Sequence, residues 1–462
     1  MPFVILPTNS ASGGYDITNS LRFNAGSSDY LNRTPSSTTD RQKATLSFWT
    51  KYCDDTSGNI GRLFNFGLYP NGTLIYFGDG TYKGKLLIDS YSSTTQTVGL
   101  VTTQLFRDYS AWYHIVVAFD TTQATASNRV KLYVNGTQVT TFDASVYPSQ
   151  NENLFFNYSS STYQIGKNHQ PAYFSGYLAE TYMIDGQQLT PTSFGETDED
   201  TGIWKPKAYT GTYGTNGFYL QFKNSASLGT DSSGNGNNFT VNNLTSIDQT
   251  TDTPTNNFAT MNSVDIDTAG TAPVFTEGNL TVAHLSGGNG AHTIARSTLS
   301  VNKGKWYSEY KIIAIGSGTD RVGVINIAQS NYVTESNPFL GTFSAGYAYM
   351  SSGNKENNSS SSSYGASYTT NDIIGIALDC DNGTVTFYKN GTTQGTAFTG
   401  LDTSLYYAFA SSPYNNQTGS HNFGNPAYTG GSYTDGAGYG NFSYAVPSGY
   451  YALNTKNLAT FG

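Results

Sequence analysis

The sequence predicts an all-β protein built from two tandem antiparallel β-sandwiches with a polar connecting arm. Aromatic residues form 14% of the 462 residues, with 36 Tyr and 26 Phe, whereas disordered chains are poor in aromatics. Tyr, Phe, Thr and Val suit a half-buried pleated surface. Charged residues reach only 12%, about half of the usual share, so Glu, Lys and Arg, which favour helices, are scarce.

Strands at short, even spacing are predicted in the first half of the chain. Residues 45–50 alternate between apolar and polar, and residues 113–119 are apolar on both faces, as in a central strand covered on both sides. Residues 130–134 alternate again and lead into an Asn-Gly pair at 135–136. This pair is typical of a type I′ hairpin turn and predicts a return strand over 137–142.

The same pattern recurs near the other end. Residues 372–379 form a buried apolar run, residues 384–389 a second strand, and an Asn-Gly pair follows at 390–391. No long helical periodicity is present. One short helix is predicted around Thr190–Phe194, with proline at its first position.

Composition predicts three regions. A first sandwich spans 1–215, a connecting arm spans 216–270, and a second sandwich with a C-terminal tail spans 271–462. The arm includes a Ser, Gly and Asn-rich stretch over 231–243 that cannot bury enough apolar area to form a core. Within the arm, Gly217–Phe222 has the alternation of a strand.

The net charge of the chain and its lack of membrane and export signals limit the kinds of binding partner that are expected. A net charge of −9 removes the electrostatic attraction for phosphate backbones, so no nucleic acid is expected. No apolar run has the length for membrane insertion, and no signal peptide is recognised. The surface chemistry nevertheless resembles that of adaptable recognition surfaces. A virion protein made in the host cytoplasm would satisfy both observations, as would a bacterial adhesin with its own secretion apparatus.

Segments of the first sandwich resemble the laminin-G-like branch of the concanavalin A-like lectin fold. The segments that carry this resemblance are 20–24, 47–49, 112–117, 130–136, 165–166 and 174–180. The phrase at 229–237 resembles the start of such a domain, yet here it follows one. We therefore expect Gly217–Val241 to fold back and add strands to the first sandwich.

Residues 304–309, 372–379 and 383–391 resemble a SPRY-type sandwich. The whole arrangement, including Phe194-Gly195-Glu196 and the C-terminal phrase at 452–458, is similar to phage virion proteins. This resemblance implies a tail fibre, tail appendage or capsid decoration at the virion surface. The implied partners are other virion proteins, further copies of the chain and host cell-surface glycans.

Catalysis is not expected. Some relatives of this wide fold are glycosidases with paired carboxylates on one strand. The acidic alternation of this chain, Glu196–Asp200, follows the last predicted strand and indicates a solvated connector instead. His114 lies in a core strand and is interpreted as a structural residue.

No cofactor or metal is predicted. Asp231 begins a calcium-loop-like spacing, but Asn242 stands where a bidentate Glu is expected, which favours a turn cluster. Laminin-G-like domains often carry calcium at the rim. For that case Asp54, Asp55 and Asp79 are the candidate ligands.

Two groups of loop residues are candidates for carbohydrate binding, because Tyr rings stack on sugar C–H surfaces and Asn amides bond hydroxyls. The first group is Tyr158, Asn168, His169 and Tyr173, and the second is Tyr364, Tyr368, Tyr414 and Asn415. The competing interpretation is that these residues pack within the protein or against neighbouring subunits. Two other functions stay open: a purely structural virion interface, and a bacterial surface lectin or glycan-processing module.

Overall fold

The computed structural model describes residues 14–53, 61–68, 70–168, 172–266, 272–284, 294–328 and 339–462. The chain divides into two compact units, one ending at Thr255 and the other running from Asn256 to Gly462. The predicted connecting arm is thus divided between the units at Thr255. No helix among these residues is long and apolar enough to cross a membrane.

The strands of the first unit are β1 (Ser20–Phe23), β2 (Tyr30–Arg33), β3 (Lys43–Tyr52), β4 (Gly61–Leu68), β5 (Asn71–Phe77), β6 (Leu86–Ser92), β7 (Thr95–Thr102), β8 (Tyr113–Asp120), β9 (Val130–Val134), β10 (Thr137–Val139), β11 (Phe142–Val146), β12 (Tyr163–Ile165), β13 (Gly176–Asp185), β14 (Gly195–Thr197), β15 (Trp204–Pro206), β16 (Phe218–Leu220), β17 (Thr240–Asn242) and β18 (Gln249–Thr250).

These strands form two large antiparallel sheets, except that β14 and β15 pair only with each other. The β3 sheet has the order β10-β9-β8-β3-β13-β1-β18, with β16 also paired to β13, and the β5 sheet has the order β11-β7-β6-β5-β4-β12-β2-β17. Leu46 and Phe48 of β3 point into the core between the sheets, as the alternation predicts. Thr45 and Ser47 on the other face of β3 are also fully buried, because that face is covered by other parts of the chain.

The segment expected to fold back supplies strands to this first unit. Phe218–Leu220 pairs antiparallel with β13, and Thr240–Asn242 pairs antiparallel with β2. Farther along, Gln249–Thr250 pairs with β1. The arm residues up to Thr255 thus contribute three strands to the sheets of the first unit.

The elements of the second unit are β19 (Val274–Thr276), β20 (Thr281–Ala283), β21 (Ala295–Arg296), β22 (Lys305–Ala314), β23 (Arg321–Asn326), β24 (Gly346–Met350), β25 (Asn354–Asn357), β26 (Ser360–Ser363), β27 (Ile373–Asp379), β28 (Thr384–Lys389), β29 (Thr392–Thr399), β30 (Tyr407–Ser412), β31 (Thr418–Asn422), β32 (Tyr451–Ala452) and α1 (Thr455–Phe461).

This unit is also a two-sheet sandwich. The β22 sheet has the order β19-β20-β31-β22-β27-β28-β29, with β32 parallel to β22, and the β23 sheet has the order β21-β30-β23-β24-β25-β26. The largest buried side chain between them is Trp306. The prediction of two antiparallel β-sandwiches is confirmed.

The predicted turns and short helix are found with small differences. Asn135 and Asn390 each have positive φ and are followed by a positive-φ glycine, as a type I′ turn requires. The strand predicted over 137–142 is interrupted, because β10 ends at Val139 and β11 joins the β5 sheet. The helix at Thr190–Phe194 is a 3-10 turn over Pro191–Ser193.

The C-terminal phrase Ala452–Leu458 has a structural role in the second unit. Asn454 caps helix α1, its side chain accepting from the Asn457 N–H at 2.9 Å. The Asn457 amide donates to Asp435 Oδ2 at 2.7 Å and to the Ala452 carbonyl at 2.9 Å. The two buried asparagines therefore hold α1 against the preceding loop.

Candidate recognition site

A row of amide side chains crosses the outer face of the β5 sheet. Alternation along the strands puts Phe64 and Phe66 in the core and turns Asn65 outward. The strand registers place Gln164 opposite both Asn32 and Asn65. These residues come from three strands that are far apart in the sequence.

Two hydrogen bonds link these amide side chains in pairs. Asn65 Nδ2 donates to Gln164 Oε1 at 2.9 Å, and Asn242 Nδ2 donates to Asn32 Oδ1 at 2.6 Å. Asn65 and Gln164 are buried, whereas Asn32 and Asn242 are half-buried. We call Asn32, Asn65, Gln164 and Asn242 the amide row. Asn32 and Asn242 are its accessible members.

Two tyrosines lie at one end of the amide row. Tyr30 precedes Asn32 by two residues on the same face of β2, and its ring centroid lies 6.3 Å from that of Tyr173. Lys167 Nζ is 4.4 Å from the Tyr30 ring centroid and 5.5 Å from that of Tyr173. All three side chains are half-buried, so their outer surfaces face solvent. We call Tyr30 and Tyr173 the tyrosine pair.

The chemistry of this surface suits a ligand with many hydroxyl groups. Amide groups both donate and accept, so Asn32 and Asn242 can bond neighbouring hydroxyls. The rings of the tyrosine pair offer apolar area next to these polar groups. The Lys167 ammonium group lies close enough to attract both rings through cation-π contacts. The amide row and the tyrosine pair are the candidate recognition site of the first unit.

The structure separates the members of the first predicted group. Tyr173 belongs to the tyrosine pair. Asn168 is only 3% exposed, so its side chain is not displayed to a ligand as the sequence interpretation required. His169 lies outside the described residues. Tyr158 precedes β12 and so lies at the opposite end of that strand from Tyr173, with the Arg41 guanidinium 4.1 Å from its ring centroid.

The four residues of the second group predicted to bind carbohydrate also lie in different environments. Tyr368 is 3% exposed and its hydroxyl donates to the carbonyls of Asp320 and Tyr349, so the proposed stacking role for this ring is wrong. Tyr364 is half-buried, with its hydroxyl bonded to the Gly395 carbonyl. Both residues are fixed by contacts within the second unit.

Tyr414 and Asn415 lie together in the loop between β30 and β31. Asn415 Nδ2 donates to Ser317 Oγ at 3.3 Å, and the Tyr414 ring packs edge-on against Phe339 with centroids 5.8 Å apart. Both side chains stay half-buried. They are the members of the second group that keep exposed polar surface in a loop.

His114 is a structural residue with a defined tautomer. Trp204 Nε1–H donates to His114 Nδ1 at 2.9 Å, so that nitrogen is unprotonated and Nε2–H donates to Ser47 Oγ, also at 2.9 Å. Burial lowers the pKa of His114 to about 3. Because the histidine donates to the serine, this Ser-His pair is not a base activating a nucleophile.

Buried carboxylates in both units are surrounded by protein donors. Glu180 Oε2 accepts from the hydroxyls of Tyr182, Tyr219 and Tyr15 at 2.5, 2.6 and 3.0 Å. Burial raises the pKa of Glu180 in spite of these donors. In the second unit, Glu309 accepts from the Asn422 amide and two backbone N–H groups.

Glu196 lies in strand β14, whereas Asp198–Asp200 and Asp231 belong to turns. Asp198 accepts from the Lys205 ammonium group and from the hydroxyl and N–H of Thr201, which together lower its pKa to about 2. Asp231 accepts from the N–H groups of Tyr219, Ser233 and Asn237, as expected for a turn cluster.

Of the three candidate calcium ligands, the structure describes only Asp79. Asp54 and Asp55 lie outside the described residues, whereas Asp79 is exposed at the start of a 3-10 turn. Within the described part of the chain, no three His, Cys, Asp or Glu side chains group as metal ligands.

Sequence reasoning missed Tyr30, Asn32, Asn65, Gln164 and Asn242. The sequence contains one signal for two of these residues. Asn65 and Gln164 are each a single amide residue between two apolar or aromatic residues of a strand. Such a position marks the outward face of a strand. Their assembly into one row depends on pairings between distant strands, which one sequence does not reveal.

Comparisons with known proteins agree with this architecture. Residues 25–192 match the concanavalin A-like lectin/glucanases superfamily, and residues 305–426 match the SPRY domain. A stretch of 103 residues is 39% identical to the ATP-dependent RNA helicase DDX1 of Xenopus laevis. This match covers 22% of the chain and only 13% of the helicase.

Two solved human structures are similar in part. The SPRY domain of human HERC1 is 19% identical, with a TM-score of 0.30, over 35% of this chain and 96% of that domain. Another human SPRY domain is 17% identical, with a TM-score of 0.25, over 31% of this chain and 90% of that domain.

The fold defines a protein of two tandem antiparallel β-sandwiches. More particularly, its first unit contains a laminin-G-like domain of the concanavalin A-like type, and its second unit contains a SPRY domain.

Proposed function

We propose that this chain is a non-enzymatic recognition protein of a phage virion exterior, and that its first unit binds glycans on the host surface. The observation that carries glycan binding is the amide row with the tyrosine pair at its end. Half-buried amides beside aromatic rings provide the two contacts that a sugar needs, hydrogen bonds to hydroxyls and stacking against C–H groups.

The non-enzymatic part of the proposal is supported by the contacts of the side chains that are most often catalytic, a histidine and two glutamates. His114 donates to Ser47 instead of accepting its proton. Glu180 and Glu309 are buried, and their oxygens accept from tyrosine hydroxyls, an amide and backbone N–H groups. The hydrogen-bonding groups of these side chains are thus used within the protein.

The location at a virion surface is proposed from the resemblance of the connecting and C-terminal phrases to phage virion proteins. The partners would be other virion proteins, further copies of this chain and host glycans. A tail fibre or appendage and a capsid decoration both suit these partners.

A purely structural virion interface is the second candidate. It is favoured by the second unit, where Tyr368 is buried and the Tyr364 hydroxyl is bonded to a backbone carbonyl. In that case neither unit would bind sugar, and the amide row would contact a neighbouring subunit.

Quantitative mass spectrometry of purified virions tests the location. We expect the chain in washed particles, in a handful of copies for a tail component or in hundreds for a capsid decoration. Absence from virions and presence on a bacterial surface would instead support the bacterial lectin alternative. Release of reducing ends from host polysaccharide by the pure protein would contradict the non-enzymatic role.

A further inference from the structure

Strand β26 is an exposed edge strand. It consists of Ser360–Ser363, lies at the end of the β23 sheet and has all four side chains exposed. Its only strand partner among the described residues is β25. An edge of this kind presents backbone N–H and C=O groups to another strand.

The two longest edge strands of these sheets, β11 and β29, pair irregularly with their neighbours, whereas β26 does not. Edge strands β11 and β29 are longer, but each has shifts in its register, and bulges of this kind hinder pairing with a further strand. β11 also carries Asp143, which is ion-paired with Lys85. β26 has a regular register and contains neither a charge nor a proline.

The hairpin register identifies which groups of β26 point outward. The β25–β26 loop consists of Asn358 and Ser359, with φ of 50° and 58°, as in a two-residue type I′ turn. The flanking residues Asn357 and Ser360 then form a hydrogen-bonded pair. Because such pairs alternate along the ladder, the N–H and C=O groups of Ser361 and Ser363 point away from β25.

We propose that β26 pairs antiparallel with β26 of a second copy of this chain, about a two-fold axis through Ser362. In this register Ser361 of each copy faces Ser363 of the other, so the outward groups of both residues are satisfied. All four residues of β26 are serines, so two copies of the strand can pair without a steric clash or a repulsion between like charges. The same surface serves both copies, as a closed two-fold interface requires. This interface goes beyond the proposed function and does not depend on glycan binding.

Cysteine cross-linking of the full chain tests this register. In the proposed dimer the Ser362 residues form a non-hydrogen-bonded pair with Cα atoms about 4.5 Å apart, which suits a disulfide. Ser362→Cys should give a covalent dimer under mild oxidation. In Ser360→Cys, the matched control, the two cysteines would be offset by roughly 13 Å along the strand and should not cross-link. The native Cys53 and Cys380 are buried and should not interfere.

A proline variant tests the backbone pairing independently. Ser361→Pro removes an outward N–H and leaves the β25 pairing intact, so the monomer should fold with an unchanged melting temperature. We expect at least a tenfold weaker self-association in light scattering after size exclusion. A monomeric wild-type chain, cross-linking of neither cysteine variant, or equal cross-linking of both would overturn the proposal.

Discussion

Lys51 Nζ lies 2.9 Å from Asp252 Oδ2, and neither side chain is exposed to solvent. Lys51 is on β3, in the centre of its sheet, whereas Asp252 follows β18 in the region expected to be a connecting arm. Trp112 Nε1–H donates to the other carboxylate oxygen at 3.1 Å, and Ser20 Oγ–H donates to the Asp252 carbonyl at 2.6 Å. The end of this region is therefore fixed to the first unit by buried polar contacts.

Replacing Asp252 by alanine should strongly destabilise the first unit. The change removes the carboxylate partner of a buried ammonium group, which costs about 3–5 kcal/mol in comparable pairs. Urea denaturation followed by tryptophan fluorescence would measure the loss. The double variant Lys51→Met with Asp252→Leu is the matched control, and it should recover much of the stability. A midpoint for Asp252→Ala equal to that of the wild type would contradict this interpretation.

The fragment 11–255 should fold as a cooperative unit, and the fragment 11–215 should not. The shorter fragment lacks β16, β17 and β18, and it also loses the carboxylates facing the buried Arg22 and Lys51. Thermal unfolding by circular dichroism would compare the two. Equal midpoints for both fragments would show that residues 216–255 are dispensable for the first sandwich.

Asp320 should make the second unit less stable as the pH rises from about 4 to about 7, whereas His421 and His284, whose pKa values are lowered by burial, act in the opposite direction. Burial raises the pKa of Asp320 from its ordinary value of 3.8 to about 7. Over this window the folded state keeps a proton that the unfolded state has released, so the free energy of unfolding falls with pH. The effect is on the order of 4 kcal/mol if the full shift applies.

Asp320→Asn tests this dependence, because the amide keeps an acceptor for the Arg321 N–H and does not titrate. Calorimetry at pH 5 and pH 8 should show that the melting temperature of the second unit changes more favourably on going to pH 8 in Asp320→Asn than in the wild type. The same change in both proteins would assign the pH dependence to other groups.

The architecture could be predicted from the sequence wherever the signal is local. Alternation in β3, the apolar run of β8 and the Asn-Gly turns after β9 and β28 each depend on a few adjacent residues, and all were found. The strand over 137–142 was predicted as continuous, yet the chain changes sheets near Thr141. Such a change depends on packing between the sheets and leaves no local signal.

The candidate site could be predicted only in part. Tyr173 was selected by composition alone, but the same criterion also selected Tyr368, which is buried. Tyrosine is common at recognition surfaces and in β-sandwich cores, so residue type does not separate the two roles. Burial, which decides between them, depends on the strand order.

Glycan binding by matched tyrosine variants of the full chain tests the central claim most directly. With host surface polysaccharide as the probe in titration calorimetry, the double variant Tyr30→Ala with Tyr173→Ala should bind at least tenfold more weakly than the wild type, because it removes both stacking rings. Tyr158→Ala, at the other end of β12, should bind like the wild type. Unchanged binding by the double variant, or loss of binding in Tyr158→Ala alone, would contradict the account.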